Sequence, residues 1–211
     1  MNSKEVRRQW AERSGEFSPE YYASYGSDHR SESIRSRLER FVDRDASVLE
    51  LGCSSGRHLA YLSEHGFGDL AGIDVNDDAF DVMAESYPDL AAGGTFYHGT
   101  IEDVVAEFGD DRFDVVYSVE TLQHLHPDSE WVLEEIARIT DDLLVTIENE
   151  GDDDRQQSGE PDVSYVNDDF PLYHRDWKRV FTGLGFTEID VESGARDTVR
   201  TFRPPDDDSA R

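Results

Sequence analysis

Three groups of residues in this chain have the types and spacing that chemistry asks for. In residues 48–62, VLELGCSSGRHLAYL, a hydrophobic strand pattern leads into Glu50, Gly52, Ser54 and Gly56 and then directly into a helical pattern. Small residues at alternate positions let the backbone turn sharply and approach a ligand, and the helix that follows aims N–H groups and positive potential at it. The second group is AGIDV, which puts Asp74 at the end of the next strand. A carboxylate there can accept hydrogen bonds from two adjacent ribose hydroxyls. The third is a set of histidines, His124, His126 and His174, each a candidate base for removing a substrate proton. His124 is the candidate catalytic residue of the three, weighed against a packing role. Cys53, the sole cysteine, has no partner for an intramolecular disulfide and reads as a packing residue inside the ligand loop.

Alternating strand and helix patterns must position these groups. Residues 47–51 read as a first strand and 57–65 as a helix capped by Gly66. Residues 70–74 form a second strand, followed by Phe80, Met83, Ala84 and Tyr87 at helical spacing behind Asn76 and Asp77, with Pro88 ending the pattern. Strands follow at 95–98, 113–118 and 143–148, with Val132, Ile136 and Ile139 on one helical face between the last two. The stretch 149–169 is polar and reads as a long mobile loop. Beyond it Tyr173, Trp177, Val180, Phe181 and Leu184 share a helical face that His174 helps to begin, and a strand pair at 186–191 and 199–202 closes the pattern. Residues 1–45 read as an N-terminal helical segment: a short basic helix, the aromatic run Phe17, Tyr21, Tyr22 and Tyr25, which is either a lid or cover for the sheet edge, then the stripe Ile34, Leu38, Phe41 and Val42. Residues 46–203 read as one domain and 204–211 as a disordered tail.

Composition narrows the setting. The formal charge is −28, from 48 acidic against 20 basic residues, with Lys4 and Lys178 the lysines and all other bases arginine. The acids are spread along the chain, as in proteins of salt-loving archaea, where salt screens their repulsion. No basic stripe with interleaved aromatics marks a nucleic-acid surface, although a halophilic background weakens that exclusion. No apolar run reaches the roughly 20 residues of a membrane span, and no Cys/His cluster has zinc spacing, so the expectation is a cytoplasmic protein without a metal.

The loop at 50–56, Asp74, FDVVYSVETLQHLHPD and LGFTEIDV together resemble the class I S-adenosylmethionine-dependent methyltransferases over roughly residues 45–203. The resemblance implies a Rossmann-like doubly wound α/β sheet of seven strands in the order 3-2-1-4-5-7-6, with strand 7 antiparallel. It also implies S-adenosylmethionine across the carboxyl ends of strands 1, 2 and 4. Carried over, Gly52, Cys53, Ser54 and Gly56 shape the loop under the methionine portion, and Glu50 holds that loop or reaches the ammonium through water. Asp74 binds the ribose, Val75 packs on the adenine, Thr100 and the Ile101 N–H meet the adenine edge, and Ser118 offers its carbonyl to the ammonium. Arg30 or Arg57 pairs with the cofactor carboxylate or makes a salt bridge. Ser54 and Thr100 depart from the family's usual glycine and acid. The dehydrogenase fingerprint G-x-G-x-x-G does not fit, because Gly52, Ser54 and Gly56 alternate.

The methyl acceptor is expected to be a small molecule. SVET after the fourth strand lacks the Asn/Asp-Pro-Pro-aromatic sequence of adenine and glutamine methyltransferases, and Glu148 with Asn149 lacks a matching acid for a metal. The alternatives are an RNA or protein methyltransferase working with a partner chain, or a protein that binds the cofactor without turnover.

Overall fold

The computed structural model describes residues 1–151, 162–166 and 170–205; part of the stretch read as a mobile loop, 152–161 and 167–169, and the tail beyond 205 lie outside the described residues. Three helices come first: α1 Ser3–Ala11, α2 Pro19–Tyr25 and α3 His29–Phe41. Side-chain caps fix all three starts. Asn2 accepts from the Glu5 N–H, Ser18 from Tyr21, and Asp28 from Arg30 and Ser31, satisfying amides that a helix leaves orphaned.

The domain then alternates β1 Ser47–Leu51, α4 Arg57–Glu64, β2 Asp69–Asp74, α5 Asp78–Ser86, α6 Pro88–Gly93, β3 Thr95–His98, α7 Ile101–Val105 and β4 Phe113–Val119. Short turns at Leu122–His124 and Pro127–Ser129 lead to α8 Val132–Ile139 and β5 Thr140–Glu148. A ribbon of β6 Asp162–Val166 and β7 Phe170–His174 precedes α9 Trp177–Gly183, β8 Thr187–Ser193 and β9 Thr198–Arg203. The main sheet runs β3-β2-β1-β4-β5-β9-β8, parallel through β5 and antiparallel at β9. That is the expected seven-strand order, with the ribbon shifting the numbers of the last two strands.

Helices cover both faces, so the central strands are buried throughout, as parallel sheets require. One face packs Ile34 and Leu38 of α3, Leu59 and Leu62 of α4 and Met83 of α5. The other packs Val105, Ile136, Trp177 and Phe181 from α7, α8 and α9. Burying each such side chain stabilises by roughly 1.5–3 kcal/mol.

The structure corrects three local readings. Tyr173 and His174 lie on β7, not on a helix, and α9 begins only at Trp177 behind the Asp176 cap. Pro88 does end one helix, but it starts the next, at the first-turn position where its missing N–H costs nothing. Strand β4 runs one residue past Ser118.

Candidate active site

The loop from β1 to α4 is held by its own backbone. Gly52, Ser54 and Gly56 take positive φ of 71°, 48° and 80°. The N–H groups of Gly52 and Cys53 both donate to the Ile73 carbonyl at 2.9 Å, tying the loop to β2. A Cβ on Gly52 would collide with the Thr121 side chain, and one on Gly56 would come within 2.9 Å of both Leu90 and Met83. Cys53 is buried, and its thiol occupies the space that the missing side chain of Gly72 leaves open. Burial pushes that thiol's pKa up, which keeps it inert.

Asp74 completes the loop. One carboxylate oxygen accepts from the Ser54 N–H at 2.7 Å and the other from Asn76 at 2.8 Å. Each oxygen keeps a lone pair for a further donor. Burial raises its pKa, opposed by the amides of Asn76 and Ser54. Behind it Glu50, 1 % exposed, accepts from the Tyr117 hydroxyl at 3.0 Å, and burial pushes its carboxyl up to about 8.

These residues open onto a cavity with about 170 Å³ available to the centres of water molecules. Glu50, Gly52, Cys53, Ser54, Asp74, Val75, Thr100 and Ile101 line it on the sheet side. Thr100 also caps α7, its hydroxyl accepting from the Asp103 N–H at 3.1 Å. Gly56 sits just behind the wall as the residue preceding α4. Ser118 does not reach the cavity. It is fully buried between β1 and β5, and the wall is taken up by Val119, Glu120 and Thr121. Across from the sheet, Val6, Trp10, Arg13, Phe17, Pro19 and Tyr22 of the N-terminal segment form the opposite wall; of the aromatic run, Phe17 and Tyr22 line the cavity and Tyr21 and Tyr25 do not.

Glu148 explains why the turn after β4 holds its place. The carboxylate, fully buried at the end of β5, accepts from the Ser118 hydroxyl and from the backbone N–H groups of Thr121 (3.2 Å), Leu122 (3.1 Å) and Gln123 (3.1 Å). Burial still raises its pKa to about 7, with those donors opposing. This carboxylate therefore acts as an anchor for the segment that carries His124.

The histidines separate by their bonds. His126 accepts from the Asp128 N–H at 3.1 Å through Nδ1 and also lines the cavity, whereas His174 does not line it and is held by Ser164 at 2.7 Å. His124 lines the cavity with Nδ1 3.0 Å from the Pro171 carbonyl. A carbonyl only accepts, so Nδ1 carries the proton and Nε2 keeps its lone pair. Burial lowers the pKa of this ring to about 4, so it is neutral near pH 7.

His58 escaped the sequence reading. The Ser31 hydroxyl accepts from the Asp28 N–H at 3.2 Å and is hydrogen-bonded to Nδ1 of His58 at 2.7 Å. Burial lowers the pKa of this ring to about 3, so it is neutral near pH 7. The ring lines the cavity, and no partner for Nε2 occurs among the described residues. Its place directly after Gly56 and Arg57, facing the ligand loop, was the available signal. Arg57 pairs with Asp28 at 3.0 Å, and Arg30 with Asp197 at 2.6 Å.

Comparison with known proteins agrees with this geometry. Residues 48–142 match a family model described as a methyltransferase domain. The fold is that of the class I S-adenosylmethionine-dependent methyltransferases, and S-adenosylmethionine is the cofactor of that class. Among solved structures, the magnesium protoporphyrin IX methyltransferase of Synechocystis, with its cofactor bound, matches at a TM-score of 0.63 and 14% identity, covering 95% of this chain and 90% of that one. A chain of the complex between the Haloferax volcanii Trm112 methyltransferase activator and a methyltransferase matches at 0.61 and 19%, covering 87% and 97%. The O-methyltransferase cnsE of Penicillium expansum is 25% identical over 125 residues, which is 56% of this chain and 45% of that protein. The match thus spans less than half the length of that curated relative.

The site fits the cofactor. Asp74 offers lone pairs suited to two hydroxyls, Gly52 leaves no room for a side chain, and the neutral His58 ring lines the cavity beside them.

Proposed function

We infer that this chain transfers the methyl group of S-adenosylmethionine to a hydroxyl oxygen of a small molecule, with His124 receiving the hydroxyl proton. The observation that carries this reading is the fixed tautomer of His124, neutral and with its free lone pair on the cavity wall. The likeness to an O-methyltransferase supports it.

When bound, the cofactor supplies a sulfonium-activated methyl group, so the protein's work is positioning and exclusion of water. Asp74 holds the ribose hydroxyls, Gly52, Cys53, Ser54 and Gly56 shape the bed of the methionine portion, and Val75, Thr100 and the Ile101 N–H meet the adenine. Glu50 balances the positive end, and His58 with Arg57 meets the carboxylate. His124 takes the acceptor's proton as the oxygen–carbon bond forms and the sulfur–carbon bond breaks, then returns it to solvent. Trp10, Phe17 and Tyr22 keep water out as a lid.

The experiment is transfer of labelled methyl from S-adenosylmethionine into fractionated extract. Label should enter small molecules, and His124→Ala should lower the rate by about 10²–10⁴-fold while leaving S-adenosylhomocysteine binding intact. Label in RNA or protein would favour a partner-dependent enzyme like the activator complex that the fold resembles. Binding without any transfer would mark a cofactor-binding protein.

The acidic surface and the near-absence of lysine support a salt-loaded cytoplasm as the working environment, in the manner of a halophilic archaeon. Melting temperature should then climb steeply from low to molar potassium chloride. A flat series would remove the halophilic assignment.

A further inference from the structure

We propose that the methyl acceptor is a flat aromatic acid, its hydroxyl at His124 and its carboxylate on Arg13. This rests on the methyltransferase reading above and names the substrate class of that site.

Arginines line the cavity at positions 7, 13 and 57. Arg7 faces Glu102 at 3.5 Å and Arg57 faces Asp28 at 3.0 Å. Arg13 has no acidic partner among the described residues, in a chain where 48 acids meet 20 bases. Among the described residues its one side-chain hydrogen bond runs from Nε to the Glu16 carbonyl at 2.5 Å, which fixes the guanidinium plane and leaves the two terminal nitrogens without an acceptor among those residues. Its Cζ lies 4.6 Å from the Phe170 ring centre and 5.6 Å from that of Phe17. Aromatic faces attract the cation and displace water from it, but they supply no counter-charge.

The neighbours of Arg13 connect it to the base. Phe170 packs 4.6 Å from Trp10, and Trp10 packs 4.6 Å from His124. His124, Trp10 and Arg13 therefore line one cavity in succession, a proton acceptor, an aromatic ring and a planar cation, with the Phe170 ring packed behind Trp10 and Arg13. A molecule complementary to it has a hydroxyl at one end, a flat apolar body and an oxyanion at the other. A guanidinium fork matches a carboxylate in two parallel hydrogen bonds. One cation balances one negative charge, which favours a carboxylate over a phosphate dianion within so acidic a protein.

The test is equilibrium binding at fixed salt, with S-adenosylhomocysteine saturating, of 4-hydroxybenzoate, 4-hydroxycinnamate and 4-hydroxyphenylpropionate against their methyl esters. Wild-type protein should hold at least one acid about tenfold or more tighter than its ester, the size of one lost charge-assisted hydrogen bond. Arg13→Ala should erase that difference while S-adenosylhomocysteine binds unchanged, and Arg13→Lys should keep part of it. Esters that bind as well as acids, an acid preference that survives Arg13→Ala, or no binding by any acid would each overturn the proposal. If Arg13→Ala does not fold, the wild-type comparison and Arg13→Lys decide it. Failure to bind S-adenosylhomocysteine would instead overturn the methyltransferase reading, so the two are told apart.

Discussion

The sheet side of the cavity and the wall opposite it are built by different means. On the sheet side, the ligand loop and Asp74 are fixed by bonds to the backbone within one β-α-β unit: Ser54 and Asn76 to Asp74, Gly52 and Cys53 to Ile73. On the other wall, Trp10 and His124 come from distant parts of the chain and meet through ring contacts, backed by Phe170 from a third. A ligand common to a whole family can be held by main chain and spacing. A ligand peculiar to one enzyme needs side chains that can be exchanged without disturbing that frame.

If this contrast holds, the largest effect should come where the two walls are joined. Glu148→Ala would strand three backbone N–H groups and the Ser118 hydroxyl in the interior, and should cost about 3–5 kcal/mol in denaturant unfolding. A cost under 1 kcal/mol would show that the turn bearing His124 does not depend on its anchor. Next, Asp74→Ala should weaken S-adenosylhomocysteine binding by on the order of ten- to several-hundred-fold in calorimetric titration, and aromatic-acid binding only through the missing cofactor. Equal affinity would dissolve the ribose assignment.

A smaller effect should follow pH. Glu50, raised to about 8 by burial and by the charge of Asp74, keeps its proton in the folded state where an unfolded carboxyl, near 4.5, has lost it. Its contribution therefore favours the fold most at or below the unfolded value and fades as pH rises through about 8. A sulfonium nearby favours the ionised form, so affinity for S-adenosylmethionine relative to S-adenosylhomocysteine should rise with pH up to that value, by at most roughly tenfold per unit. Glu50→Gln should flatten the trend. The smallest effect concerns Ser54, whose φ of 48° suits glycine. Ser54→Gly should relieve about 1 kcal/mol of local strain and raise the melting temperature by a few degrees, with cofactor affinity little changed. A lower melting temperature would mean that the serine is engaged in the fold.

The contrast also marks what the sequence made legible. The loop at 50–56 and Asp74 could be read because their spacing follows from strand and helix periods within one unit, and the strand order followed from the resemblance. The ribbon was missed for a physical reason: Phe170, Leu172 and Tyr173 are all buried, so the strand shows no alternation, and Tyr173 happens to sit four residues before Trp177, at helical spacing. The roles of Glu148, His58 and Arg13 depend on partners 25 or more residues away, or on a partner that is missing. No local pattern announces such a pairing. Ser118 shows the reverse limit, since a one-residue extension of a strand moves the next carbonyl to the wall.

Two backbone carbonyls of the N-terminal segment are held over the pocket: Asn76 donates to the Arg13 carbonyl at 3.1 Å, and Arg57 to that of Gly26 at 3.3 Å. Asn76 follows Asp74 by two residues and Arg57 follows Gly56, so the fastening points belong to the cofactor's own cradle. If cofactor binds beneath this segment, those bonds would have to open before spent cofactor leaves. Turnover would then be paced by residence time, and the protein should emerge from its host still carrying S-adenosylhomocysteine.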